Sequence, residues 1–397
     1  MWQAIRSAFP FALLTGMAVL FGGPGASGAA PDCSVAPTGP SLELVYRLEA
    51  GEEGVTPRTR DEAVEIVCER LRAIGKTSGE VRLLADGRLR VVLPRIGDSQ
   101  RVGDLIGVTG QLYFYDWEPN LIGPERRIGG HPGPAAPLGV LRRAKHEWVA
   151  ADRDVSLPMN KQLILDGAFP TAYGAVKLAS ERESREPCSA CSASAPRFYM
   201  FERSTHELIA GPVADRSILG RAAFDPQARS ERVVFRVPVG TVVAAEQPTN
   251  SLGAAVEAAE PGWFALKDRP AFSGNEIVDP RQEFSFLHQP NVTFAFTEKG
   301  RTAFQRVTRA IASRGQARAT GPVTAEEAEK LSGRFALIFD NEVMTRPIVD
   351  FTQNPDGIDG RTGAQIAGGF TTVQEARDLA TILKIGALPI NLALIRE

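Results

Sequence analysis

GFTTVQEARDLATILKIGALPINLALIRE, residues 369–397, closes the chain, and its reading decides the fold. Thr372 and Glu375 have the spacing of a capping box, which satisfies orphan backbone donors at a helix start. Ala376, Leu379, Ala380 and Leu383 recur at helical spacing and mark one apolar face. Gly386 suits the residue just past a helix, and Pro389 prevents the helix from resuming. Ile390, Leu392, Leu394 and Arg396 then share one side of a strand, with Asn391, Ala393 and Ile395 on the other. A strand at the chain end must pair with something earlier, so this element is expected to close a sheet begun near the N-terminus.

The N-terminal half supplies that sheet. Ser41–Ala50 alternates Leu42, Leu44, Tyr46 and Leu48 and reads as a strand. Thr59 and Glu62 offer a second capping box, ahead of a helix whose apolar face carries Val64, Val67, Cys68, Leu71 and Ile74 before Gly75. Val81–Pro94 reads as a hairpin, with Asp86-Gly87 as a type I′ signal. A short helix follows with Val102, Leu105 and Ile106, then a strand at Gln111–Glu118. The order is βαββαβ, which predicts an α+β chain with a ferredoxin-like base extended by the closing helix and strand.

The interior is less regular. Residues 119–140 are rich in Gly and Pro and read as a linker, and 243–262 as a second connection. Between them lie an Ala-rich helix near Pro170–Ser180, a Ser/Ala/Cys-rich loop at 184–196, and strands at Phe198–Phe201 and Val233–Val242. Order returns at Trp263. Val292–Phe296 is a strand, and Thr297–Arg314 a helix ended by Gly315. Phe335–Asp340 and Glu342–Val349 form a hairpin over Asn341.

Composition excludes several function classes. The chain has 397 residues, 43% hydrophobic, with a net charge of −2, so no basic excess draws it to nucleic acid. Arg6, the apolar run Phe9–Phe21 and the small residues Ser27-Gly28-Ala29 have the layout of a secretory signal. As a helix that run is about 20 Å long, short of a bilayer's hydrocarbon core. Residues 1–29 are therefore read as a signal peptide or an N-terminal membrane anchor, which places the rest outside the cytoplasm. There a disulfide is permitted. Cys188 and Cys191 read as a local structural disulfide, because no βαβ unit flanks them and no histidine stands at zinc-finger spacing. Cys33 and Cys68 either bridge the N-terminal arm to the first helix, or Cys68 is a free buried cysteine. Asn354–Gly360 has the composition of a calcium loop but not its ligand spacing, since Ile358 falls where an oxygen donor is needed. No nucleophile elbow, phosphate loop or zinc-protease motif occurs. The residues thus point to no catalytic, cofactor-binding or metal site.

The closing run Glu375-Ala376, Leu379-Ala380 and Leu383–Pro389, with Gly368–Thr371 before it, resembles the end of the first extracytoplasmic domain of SecD, a subunit of the bacterial Sec protein-export machinery. Glu62-Ala63, Leu71-Arg72, Gly75, Arg90–Pro94, Ile96-Gly97 and Leu105–Gly107 fit the same pattern, although Arg95 stands where the family usually has Gly. Pro270–Ile277 resembles a further family element. The segments around residues 296–315, 335–351 and 354–370 are similar to SecD proteins of actinobacterial type. The resemblance implies a base from residues 41–118 and 369–397, an inserted variable region at 119–262 and a head at 263–368. It implies a non-catalytic domain assisting Sec-dependent translocation by binding the emerging or unfolded polypeptide, with Sec translocon membrane subunits as partners. The chain ends where the family continues into membrane helices, and the sequence leaves open whether a separate membrane half exists. The alternatives are an exported ligand-binding or enzymatic protein on this fold, and a split or truncated SecD subunit.

Overall fold

The computed structural model describes residues 33, 39–49, 55–75, 79–94, 99–122, 168–182, 191–193, 195–219, 231–247, 261–285, 288–367, 370 and 372–396. The signal or anchor at 1–29 lies outside them, as do Cys188, His131 and His146.

The chain's last strand pairs with its first. β1 (Ser41–Glu49), β2 (Glu80–Leu83), β3 (Leu89–Pro94) and β18 (Asn391–Arg396) form an antiparallel sheet in the order β18-β1-β3-β2. Leu392 lies opposite Leu48, and Leu394 opposite Tyr46. Three helices accompany this base: α1 (Pro57–Ala73), α2 (Ser99–Gly107) and α6 (Val373–Ile385). Leu44, Tyr46, Val67, Leu71, Leu89, Leu93, Ile106 and Ile390 fill the core beneath them, each at most 2% exposed. Cys33 is bonded to Cys68 of α1, across 35 positions. Closing a loop of that length is worth about 4 kcal/mol in chain entropy.

Local sequence explains the turns, with two corrections. Thr56, not Thr59, caps α1, and Thr59 is the reciprocal partner in its capping box. The β2–β3 loop is longer than the two-residue turn expected, because Leu84 and Arg88 bond across it and only Gly87 takes positive φ (+80°). Thr372 caps α6 by accepting from the Glu375 amide at 3.2 Å.

The strand at 111–118 departs from expectation more deeply. β4 (Leu112–Asp116) leaves the base and enters a second, eight-stranded sheet, so the fourth base strand is β18. β4 pairs with β14 (Gly333–Phe339) along its length and with β11 (Phe272–Ser273) on the other side. β15 (Glu342–Thr345), β9 (Thr241–Glu246), β10 (Gly262–Lys267) and β5 (Leu121–Ile122) continue the row, and β16 (Ile348–Val349) pairs with β14 off its end. Parts of both expected connections, 119–140 and 243–262, are therefore sheet. Val233–Val242 is two strands, because Gly240 turns the chain at φ +88°. Its first part, β8 (Arg232–Val237), joins β6 (Arg197–Glu202) and β7 (Leu208–Val213) in a three-stranded sheet packed against α3 (Ala172–Ser180).

β12 (Ile277–Phe284), β13 (Pro290–Phe296) and β17 (Ala364–Ala367) make a fourth sheet, with β12 at its edge. α4 (Glu298–Arg318) packs over it through Phe304, Val307 and Ile311, and α5 (Ala325–Leu331) follows. α4 runs past Gly315, the expected stop; that glycine leaves room for the Phe351 ring, which would lie 2.5 Å from an added Cβ. The Asn354–Gly360 loop is held to α4 by the Ile358 amide, which donates to buried Thr308 at 2.8 Å. It is a docked turn, as its Asp and Gly content suggests.

Leu392 is 9% exposed in the sheet that joins the chain's ends. Leu392→Asp is expected to cost about 3–5 kcal/mol by burying an unpaired charge, read from urea unfolding. An unchanged midpoint would contradict this pairing.

Candidate functional site at the base–head junction

The chain passes from the base to the large sheet through Val108–Gln111, and two charged side chains grip that passage. The first is Arg70 on α1, fully buried. Its Nη1 donates to the carbonyls of Leu105 (3.1 Å), Ile106 (3.4 Å) and Val108, and its Nη2 to those of Thr109 (3.3 Å) and Gly386 (3.1 Å). These carbonyls close the last turn of α2 and cap α6. Helix ends leave such oxygens unpaired and carry partial negative charge, so one guanidinium fork serves both. Burial lowers the Arg70 pKa to about 10, opposed by the charge of Asp340, and the side chain stays cationic at neutral pH.

Asp340 grips the passage from the other side. It is the first residue of the β14–β15 turn, where Asp340 and Asn341 both take positive φ (44° and 68°). Its Oδ2 accepts from the Gly110 amide and its Oδ1 from the Gln111 amide, both at 2.8 Å, and its own amide donates to Gln111 at 3.0 Å. Gly110 must be glycine, because its φ is +84° and an added Cβ would meet Ile382 at 2.7 Å and Arg70 at 2.9 Å. The closing segment adds a third hold: Leu388 donates to the Thr109 carbonyl at 2.7 Å, and Thr109 bonds Asn391 at 3.2 Å. Burial raises the Asp340 pKa, against the lowering pull of the Gly110 and Gln111 amides and of Arg70.

Beside this joint lies a cleft of about 470 Å³. Ala73, Ile74, Ala380 and Pro280 contribute apolar groups to its lining. α6 forms one wall with Arg377, Thr381 and Lys384, and Arg281 and Gln282 of the edge strand β12 form the other. Arg101 of α2 reaches Asp378 with a bidentate pair at 2.7 and 2.8 Å, and Gln374 bonds the same carboxylate at 2.9 Å. That pair neutralises itself. Arg281 lies 3.9 Å from exposed Asp279, while Arg377 and Lys384 are exposed on α6. Cations therefore outnumber acids in the lining, with a few apolar side chains between them. Among the described residues no group of three His, Cys, Asp or Glu is placed to hold a metal.

The cysteines lie elsewhere. The Cys33–Cys68 bond is in the base, and Cys191 is disulfide-bonded, while Cys188 is outside the described residues. The loop after Cys191 is fixed by buried Asp268, whose Oδ2 accepts from the Ser192 and Ala193 amides at 2.8 and 3.2 Å and whose Oδ1 accepts from Tyr115 at 2.9 Å. Sequence reading passed over Arg70 and Asp340. Arg70 had a signal: a charged residue among Val67, Leu71 and Ile74 on an apolar helix face.

Residues 251–390, which carry Asp340, β12 and α6, match the family model described as SecDF, P1 head subdomain. The chain is related to SecD. The protein translocase subunit SecD of Rhodothermus marinus is 24% identical over 380 residues, 92% of this chain and 50% of that protein. The SecDF subunit of Thermus thermophilus is 27% identical over 123 residues, 31% of this chain and 13% of its own. The chain thus spans about half of the SecD relative. A crystal structure of SecDF in a super-membrane-facing form aligns with 90% of this chain and 30% of its own at 17% identity, with a TM-score of 0.43. No helix among the described residues is long and apolar enough to cross a membrane.

The raised pKa of Asp340 fixes the sign of a pH effect. A carboxyl that holds its proton more tightly when folded adds stability below the unfolded value, about pH 4, and loses it as pH rises through the folded one. The stability of the wild type relative to Asp340→Asn is expected to be greatest at low pH and to shrink as pH rises. Melting temperatures of both proteins across that range check this, and a gap widening with pH would contradict it.

Proposed function

We propose that this chain works outside the cytoplasm as a SecD-like module that assists Sec-dependent protein translocation by holding an emerging or unfolded polypeptide. Its action is binding rather than covalent chemistry, and its partners are that polypeptide and membrane subunits of the Sec translocon. The match of residues 251–390 to the SecDF P1 head subdomain carries this reading. The similarity to a translocase subunit over 380 residues supports extending it to the base.

The head offers a suitable place to test contact. Phe284 is 55% exposed and Val278 41% exposed, both on β12, the edge of its sheet. Exposed apolar side chains on an open edge suit an unfolded chain, which supplies both apolar groups and unpaired backbone. Phe304, by contrast, is buried in the core, packed on Phe296 and Phe335. A photoreactive residue at position 284 or 278, in cells exporting a stalled preprotein, is expected to crosslink to the preprotein or to Sec channel subunits. Absence of crosslinks at both positions, with the protein folded and exported, would contradict the proposal.

A further inference from the structure

The cleft between α6 and β12 has a charge pattern that polypeptide holding alone does not explain. We infer that it is a binding site for acidic peptide segments, which place carboxylates on Arg377, Lys384 and Arg281 and small apolar side chains against Ala380 and Pro280. The inference rests on the proposed polypeptide-holding role and names the class of segment held.

Three features carry it. Arg377 and Lys384 are seven positions apart on α6, two helical turns, so they project from one face in a row along the cleft. Arg281 stands on the facing wall. The acid lining the cleft, Asp378, is already paired with Arg101 and Gln374, so it does not cancel these cations. Asp279 beside Arg281 is exposed and 3.9 Å away, a weak partner in solvent. The lining residues Ala73, Ile74, Ala380 and Pro280 have no polar side-chain groups to satisfy. A free inorganic anion or an anionic bilayer shares the charge but not the alternation of carboxylates with small apolar side chains. An extended segment alternating carboxylates with small apolar residues uses both parts.

The test uses the purified chain and a short fluorescent peptide alternating Glu with Leu and Ala, read by anisotropy. Its counterpart has Lys in place of Glu. The acidic peptide is expected to bind more tightly, with affinity falling at higher salt. The double variant Arg377→Glu with Lys384→Glu is expected to bind it about tenfold more weakly, the scale of two reversed rim charges. Both residues are exposed, and thermal melting confirms that the variant folds. Arg281→Glu, on the opposite wall and another chain segment, weakens binding independently. Equal binding of the two peptides, or wild-type affinity in both variants, would overturn the assignment. So would competition by inorganic phosphate or phosphatidylglycerol vesicles as strong as that by the acidic peptide. Crosslinks from positions 278 and 284 read the translocation role separately, so their survival alongside failure here removes the cleft and leaves that role standing.

Discussion

A buried guanidinium surrounded by backbone carbonyls holds this protein's parts in register. Taking a cation out of water is costly, and the cost is offset only where hydrogen bonds and opposing charge surround it. Arg70 meets most of that condition with five carbonyls from two stretches of chain on its Nη atoms and the charge of Asp340 nearby, while its buried Nε has no hydrogen-bond partner. Lysine could not replace it, because a single ammonium has neither the fork nor the reach to serve two helix ends at once. Its position ties α1 to the end of α2, to the passage that leaves the base, and to the cap of α6 at the other end of the chain.

The remaining architecture follows from that joint. Asp340 repeats the grip in the opposite sense, a carboxylate accepting two amides from the same short passage. The passage is thus held by its carbonyls from the base and by its amides from the large sheet. α6 and the turn after it are shared: Leu379 and Ile382 belong to the core beneath α4, while Ile385 and Leu388 pack into the base. Because α6 is fixed on both sides, its outer face and the edge strand β12 keep a constant separation, and the cleft between them has a defined shape. A loose joint would leave the same cations on a surface with no facing wall.

The closing helix and strand were legible in the sequence because their signals are local. Thr372 as cap, Gly386 and Pro389 as stops, and the alternation through Leu392 each require only neighbouring residues. The destination of β4 was not legible. QLYFYD alternates as any strand does, and nothing within it distinguishes pairing with β1 from pairing with β14. Its aromatic side chains hold the answer only in three dimensions: Phe114 stacks on Phe272 at 4.2 Å and lies 5.8 Å from Phe335, both far along the chain. The connection at 243–262 hid a strand because Val243 and Ala244 sit in a stretch dominated by small residues. At the candidate site, Arg70 was visible as an anomaly on an apolar face, whereas Asp340 looked like an ordinary turn residue. The cleft combines α1, α2, β12 and α6, and no sequence pattern reports such a meeting.

The most direct test is amide hydrogen exchange at Gly110, Gln111 and Leu388 in the wild type and in Arg70→Lys. If Arg70 unites both chain ends with the passage to the head, all three amides lose protection together in the variant, while amides within α4 and β13 stay protected. Loss of protection confined to α1, with Gly110, Gln111 and Leu388 unchanged, would contradict the account.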